Sequence, residues 1–113
     1  MDVQMKRGLL DVCVLSAIKM NDGISYGYQI IKDIKPYVEM SESTLYPILR
    51  RLETGSYLTS TSREHNGRLR KYYHLTPEGL RKIDSFAEDF REITSIYNFV
   101  SQENKKTPKT PEN

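Results

Sequence analysis

Apolar side chains recur along this chain at helical spacing in four stretches, with one alternating stretch between the third and the fourth. From Arg7 to Met20 nearly every position is apolar or small, broken only by Asp11, Ser16 and Lys19. Leu10, Val14, Ala17 and Ile18 share one helical face, while Leu9, Val12, Cys13 and Met20 carry apolar groups elsewhere around the circumference. Such a helix needs partners on more than one side. Asn21-Asp22-Gly23 reads as a turn, after which Ser25 can cap a short second helix with Ile30, Ile31 and Ile34 on one side, stopped by Pro36. A third helix starts at Ser41 or Ser43, carries Leu45, Ile48, Leu49 and Leu52 at i, i+3, i+4 and i+7, and ends at Gly55. Pro47 lacks a backbone donor, so it is placed most easily near the first turn of that helix.

From Tyr57 to Glu64 the chain is rich in Thr, Ser and Tyr; His65-Asn66-Gly67-Arg68 is a strong two-residue hairpin signal, and Leu69 to Thr76 supplies the second strand. Thr76-Pro77-Glu78 opens a long helix, with a cap, a proline at the first helical position and a carboxylate near the positive end of the dipole. That helix is expected to run to about Ser101. Helix, helix, helix, hairpin, helix is the order of a winged helix-turn-helix with a C-terminal arm, a mainly α, α+β fold. The expected division is a winged-helix DNA-binding domain over 1–76, a dimerisation helix over 77–101 and a disordered tail over 102–113, where Lys, Thr, Pro, Glu and Asn carry no apolar anchor.

With 113 residues, 37% hydrophobic and 28% charged, the chain has material for one modest core, which argues against a multidomain enzyme. Its one cysteine cannot form an internal disulfide, and no Cys/His cluster has metal-ligand spacing. No apolar run approaches the roughly 18 residues of a membrane span. Lys6 and Arg7 ahead of apolar residues faintly imitate a signal peptide, but Asp11 interrupts the run and no A-x-A site follows, so a mature N-terminus and a cytoplasmic location are expected. The net charge of +2 is small, yet it is unevenly placed: residues 56–75 hold four basic groups and one acidic.

That basic segment is the hairpin. An Asn66-Gly67 turn sets His65 opposite Arg68, Arg63 opposite Arg70, Thr61 opposite Tyr72, and Leu58 opposite Leu75. Arg63, His65, Arg68, Arg70 and Tyr72 then share a face on which two arginines oppose each other, a cost that an anion between them removes. With Lys71 beside them the wing reads as a probe of the DNA backbone or minor groove; a polar hairpin kept soluble by edge charges explains the same residues. On the third helix, Ser43, Thr44, Tyr46 and Arg50 lie outside the apolar face, where the second helix of a helix-turn-helix meets DNA; an ordinary solvated face explains that composition equally.

In the last helix Ile83, Phe90 and Tyr97 recur at seven, as do Phe86, Ile93 and Val100. This a/d seam is short for an autonomous coiled coil, so it is expected to pair across a symmetric dimer with Leu9 and Cys13 of the over-apolar first helix, or else to fold back on its own domain. A dimer presents two recognition helices and suits an inverted-repeat operator. Enzyme readings find little support: His65 lies in a turn, His74 in a strand, and no nucleophile stands at a recognisable spacing from either. Cys13 reads as a packed thiol.

Gly8-Leu9-Leu10-Asp11-Val12-Cys13-Val14-Leu15, Tyr26-Gly27-Tyr28-Gln29-Ile30-Ile31, Ser43-Thr44-Leu45-Tyr46-Pro47-Ile48-Leu49-Arg50-Arg51-Leu52-Glu53, and Gly67-Arg68 with Arg70-Lys71-Tyr72-Tyr73-His74-Leu75-Thr76 and Gly79 resemble the PadR family of bacterial transcriptional regulators. The combination of Thr-Leu-Tyr-Pro with Gly-Arg-x-Arg-Lys-Tyr-Tyr is specific; one segment alone is weak. The resemblance implies a homodimeric winged-helix repressor near genes for detoxification, efflux or phenolic-acid stress. It puts Tyr26, Ser43, Thr44, Tyr46, Arg50, Arg68, Arg70 and Lys71 at DNA-contacting positions. The length matches the family's short branch, some members of which hold flat aromatic drugs between subunits against a tryptophan. This chain has no Trp, and Phe90 stands at that position. A phenyl ring there can stack on an aromatic effector beside Val12 and Cys13, or fill the dimer seam.

The expectation is therefore a homodimeric DNA-binding regulator of double-stranded operator DNA, with no cofactor and no membrane partner. Two alternatives stand beside it: a sensor of an aromatic small molecule held at the dimer interface, and a winged helix serving only as a protein-interaction module.

Overall fold

The computed structural model describes residues 2–105. Helix α1, Val3–Met20, starts four residues earlier than its apolar run, because the Asp2 carboxylate accepts from the Gln4 and Met5 amides at 3.1 and 3.3 Å and caps it. Val14, Leu15 and Ile18 of α1 are fully buried. Gly23 and Asp22 take positive φ in the turn that follows.

Ser25 does not cap α2. Ile24–Ser25 is instead a two-residue strand, β1, pairing antiparallel with His74 and Tyr73, and Tyr26 is the extended residue from which α2, Gly27–Ile34, starts. The Ser25 hydroxyl is buried and makes no hydrogen bond among the described residues. Helix α3, Glu42–Thr54, begins at Ser41, whose Oγ accepts from the Thr44 amide at 3.3 Å. Pro47 therefore sits in the second turn rather than the first, with Leu45, Ile48, Leu49 and Leu52 still on the buried face.

Strands β2, Leu58–His65, and β3, Arg68–Leu75, form the hairpin in the expected register, from Leu58 opposite Leu75 to His65 opposite Arg68. Asn66 and Gly67 both take positive φ, 51° and 79°, the twist of a type I′ turn. Sheet order is β1-β3-β2. Helix α4, Pro77–Lys105, runs four residues past the expected Ser101; the rest of the expected tail, 106–113, lies outside the described residues. Its start is pinned by Thr76, whose hydroxyl accepts from the Gly79 amide at 3.0 Å and donates to the Ser56 carbonyl at 2.7 Å.

The core sits where α1, α2, α3 and the base of the hairpin meet, with Tyr73 and Ile83 closing it. Ile83, expected at the start of the dimer seam, is buried in the core of its own chain. A second tie crosses the core: Arg51 of α3 forms an ion pair with the buried Asp11 of α1. No described helix is long and apolar enough to cross a membrane.

Candidate nucleic-acid interface

The N-terminal half of α3 and the wing enclose an open groove of about 570 Å³, reached from one side by Tyr28, Glu42 and Tyr46 and from the other by His65, Arg68 and Lys71. Ser43, Thr44, Tyr46 and Arg50 are all exposed along α3, in the sector the core leaves free. The Ser43 and Thr44 hydroxyls lie 2.9 and 3.2 Å from Ser41 Oγ, so the helix start holds a ready cluster of donors and acceptors. Tyr46 lies over Gly27, where a Cβ would fall 2.7 Å from its hydroxyl oxygen, so the bare backbone of α2 lets the ring approach.

The opposed arginines of the wing are accommodated without an anion. Arg63 lies 5.1 Å from the centroid of Tyr72; Arg70 lies 6.0 Å from that ring on its other neighbouring strand position and 4.0 Å from the Tyr26 ring. Tyr26 and Tyr72 meet edge to face with centroids 5.7 Å apart. Aromatic faces thus provide the negative potential expected from an anion, at about 0.5–1 kcal/mol for each such contact. Tyr26, half-buried, supports Arg70 in this arrangement. Among the described residues, no carboxylate comes within ion-pair reach of Arg63, Arg68, Arg70 or Arg50.

Lys71 is different. Strand alternation puts it on the opposite face from Arg70, turned to α3, where its Nζ lies 3.4 Å from Glu53 Oε1 and 5.5 Å from the Tyr73 centroid. It does not extend the arginine face as expected. The expected register already contained this outcome, since neighbouring strand residues point to opposite faces. Glu53 itself had no visible signal: its role comes from Ser60 and Lys71, brought to it by the docking of the hairpin on α3.

A charged, unpaired wing beside a helix with free polar groups is geometry fit for the DNA backbone. The PadR-like family model of transcriptional regulators matches residues 14–85, from the second half of α1 to the base of α4. The chain belongs to that family. Solved structures agree. Smu.1704 from Streptococcus mutans UA159 is 32% identical over 90% of this chain and 94% of its own, with a TM-score of 0.74. A transcriptional regulator from Clostridium thermocellum is 32% identical, covering 84% and 95%, with a TM-score of 0.73. A PadR family transcription regulator from Clostridium difficile R20291 is 29% identical, covering 80% and 95%, with a TM-score of 0.71. No curated protein matches the sequence. As a PadR-like protein the chain is a DNA-binding transcriptional regulator with a winged-helix fold and is not an enzyme.

Away from the wing, this PadR-like chain carries a second open surface. Leu9, Val12, Cys13 and Met20 of α1, Ile34 at the end of α2 with Tyr37 in the turn beyond it, and Phe86 of α4 line a groove of about 190 Å³. Phe86 faces it; Phe90 stacks on Phe86 at 5.9 Å and stands half exposed one turn further out. Beyond that, Ile93, Tyr97 and Val100 are exposed together with Ile96 and Phe99, which the heptad reading passed over. Burial pushes the Cys13 thiol above its ordinary value, so it stays protonated.

Proposed function

We propose that the protein is a homodimeric repressor that grips an inverted-repeat operator with α3 and the wing of each subunit. The observation that carries this is the outer half of α4: Phe90, Ile93, Tyr97 and Val100 stay about half exposed or more on one side of the helix among the described residues, and the α1 groove offers a complementary apolar seat. A second copy covers both at once under two-fold symmetry. Ser43, Thr44, Tyr46 and Arg50 meet the major groove; Arg63, Arg68 and Arg70, with Tyr72 between them, hold the backbone at the wing. As a chromosome-binding protein it works in the cytoplasm, on genes of detoxification, efflux or stress, as its family resemblance implies.

An effector role rests on a specific feature. Val12 and Cys13 share their groove with Phe86 directly, while Phe90 extends the aromatic surface from there. A flat aromatic molecule between subunits would stack on this pair and shift DNA affinity only to the extent that it binds two dimer arrangements unequally.

The test is light scattering with a salt titration of binding to a palindromic promoter fragment. A dimer is expected, with log affinity falling by about 0.9 per neutralised phosphate for each decade of salt. A lone subunit at working concentration, or binding indifferent to salt, refutes the proposal. A dimer that retains no DNA at low salt would make the fold a protein-interaction module.

A further inference from the structure

A further cleft lies between α3 and β3, about 270 Å³ and lined by Tyr46, Arg50, Glu53, Lys71 and Tyr73. Two cations and one carboxylate face it, and they are not equivalent. Arg50 is exposed and has no carboxylate in reach among the described residues, whereas Lys71 is held by Glu53 at 3.4 Å. The carboxylate is fixed in turn, because Ser60 Oγ donates to its other oxygen at 2.5 Å. That hydrogen bond, opposed by burial and aided by the Lys71 charge, holds the Glu53 carboxyl below its ordinary range, so the group is ionised at neutral pH.

A carboxylate with one oxygen on an ammonium and the other on a hydroxyl offers those groups what a DNA phosphate would: a negative charge and two acceptor oxygens. We propose that Glu53 is an internal stand-in for a backbone phosphate, withdrawing Lys71 from the electrostatic grip of the wing and so limiting how tightly the protein holds DNA of any sequence. The inference rests on the reading that this face of α3 and the wing meets DNA. It replaces the direct phosphate contact that the family resemblance implied for Lys71. It also gives Glu53 a purpose that packing alone does not demand, since a neutral hydrogen-bond acceptor would serve Ser60 equally.

Full-length protein and a duplex of arbitrary sequence test it through coupling between the two residues. E53Q keeps an acceptor for Ser60 while freeing Lys71. With Lys71 present, E53Q is expected to steepen the salt slope by about 0.9 and tighten binding about eightfold near 0.1 M salt, one added phosphate contact. In a K71Q background the same change should leave the slope where K71Q alone puts it. Equal steepening in both backgrounds would mean a loss of general negative charge and overturn the proposal. Weaker binding by E53Q at unchanged slope would also overturn it, by making the cluster a brace for the wing. Should E53Q not fold, E53A decides by the same pair of slopes: a slope steeper only with Lys71 present supports the stand-in, and an unchanged slope refutes it. If R50A, at the exposed cation that shares this cleft, leaves the wild-type slope intact, DNA does not lie on this face and the underlying reading fails instead.

Discussion

Arg70 rests its guanidinium 4.0 Å from the centre of the Tyr26 ring, joining the middle of the wing to the first residue before α2. A planar cation on a flat ring keeps its orientation with little loss of hydration, so under the proposed binding mode Arg70 would meet a phosphate already aligned. Tyr26 therefore acts through Arg70. Y26F should bind operator DNA as the wild type does, whereas Y26L should weaken binding about threefold to fivefold, the worth of one cation–π contact, with the salt slope unchanged because no charge is lost. Fluorescence anisotropy across a salt series measures both quantities. A loss in Y26F would mean the hydroxyl itself touches the nucleic acid.

The pair of Asp11 with Arg51 ties α1, which lines the apolar groove, to α3. Asp11 is buried and the Arg51 side chain is about a third exposed, so breaking the pair leaves a charge only partly reached by water. D11N should lower unfolding free energy by about 2 kcal/mol, below the usual range for a fully buried pair because of that exposure. Urea denaturation with an unchanged m-value is the measurement, and a loss under about 0.5 kcal/mol would show the pair contributes no more than a surface contact.

Much of this architecture was legible in the order of residues. Leu45, Ile48, Leu49 and Leu52 mark the buried face of α3, and Asn66-Gly67 dictates the hairpin register pair by pair. Local chemistry carries those features. What stayed hidden depends on distant segments meeting. Ser25 has a good capping side chain, yet Tyr73 draws it into a strand, because edge pairing with β3 satisfies more backbone than a cap does. Ile83 sits at a heptad position, but the packing of α4 on α1 claims it for the core. Asp11 reads as an interruption in an apolar run until Arg51, forty residues on, explains it.

Gly79 lies in the first turn of α4, where Gly to Ala in an isolated helix would stabilise by about 1 kcal/mol. Here the sign reverses. A Cβ at this position would overlap the carbonyl oxygen of Tyr57 and lie 2.6 Å from Leu75 Cδ1. Backbone cannot move aside without loosening the hairpin base, so G79A should lose about 2 kcal/mol or more, as overpacked sites do. Thermal melting decides the sign; a raised midpoint would mean the hairpin base yields.

The lowered Glu53 carboxyl makes a prediction about acid. Its folded-state value lies below the ordinary 4.5, so the folded form binds the proton less readily than the unfolded one. The stability it contributes is complete above that ordinary value and disappears as pH falls through the lower, folded value. Wild type and E53Q should therefore converge in stability as the pH drops below about 4, the ordinary glutamate range, and separate above it. Denaturant midpoints from pH 3 to 7 test this; parallel curves would remove Glu53 from the acid response.

Around α4 the exposed apolar residues do not all point one way. Phe99 lies about 100° around the helix from Val100 and further still from Ile93, at 100° per residue, so it falls outside the expected seam. The two sides can be separated by substitution. I93D puts a carboxylate into a surface that the proposed partner would cover, where an unpaired buried charge costs several kcal/mol, while in a lone chain the half-exposed site leaves it in water. F99S should keep the dimer. I93D should convert it to monomer, leave the melting of the winged-helix core nearly unchanged, and abolish tight operator binding, since a single half-site offers only half the contacts. Light scattering with anisotropy on one sample separates these outcomes. If I93D stays dimeric, the seam lies elsewhere on α4, and if F99S alone dissociates, the face bearing Ile96 and Phe99 is the contact.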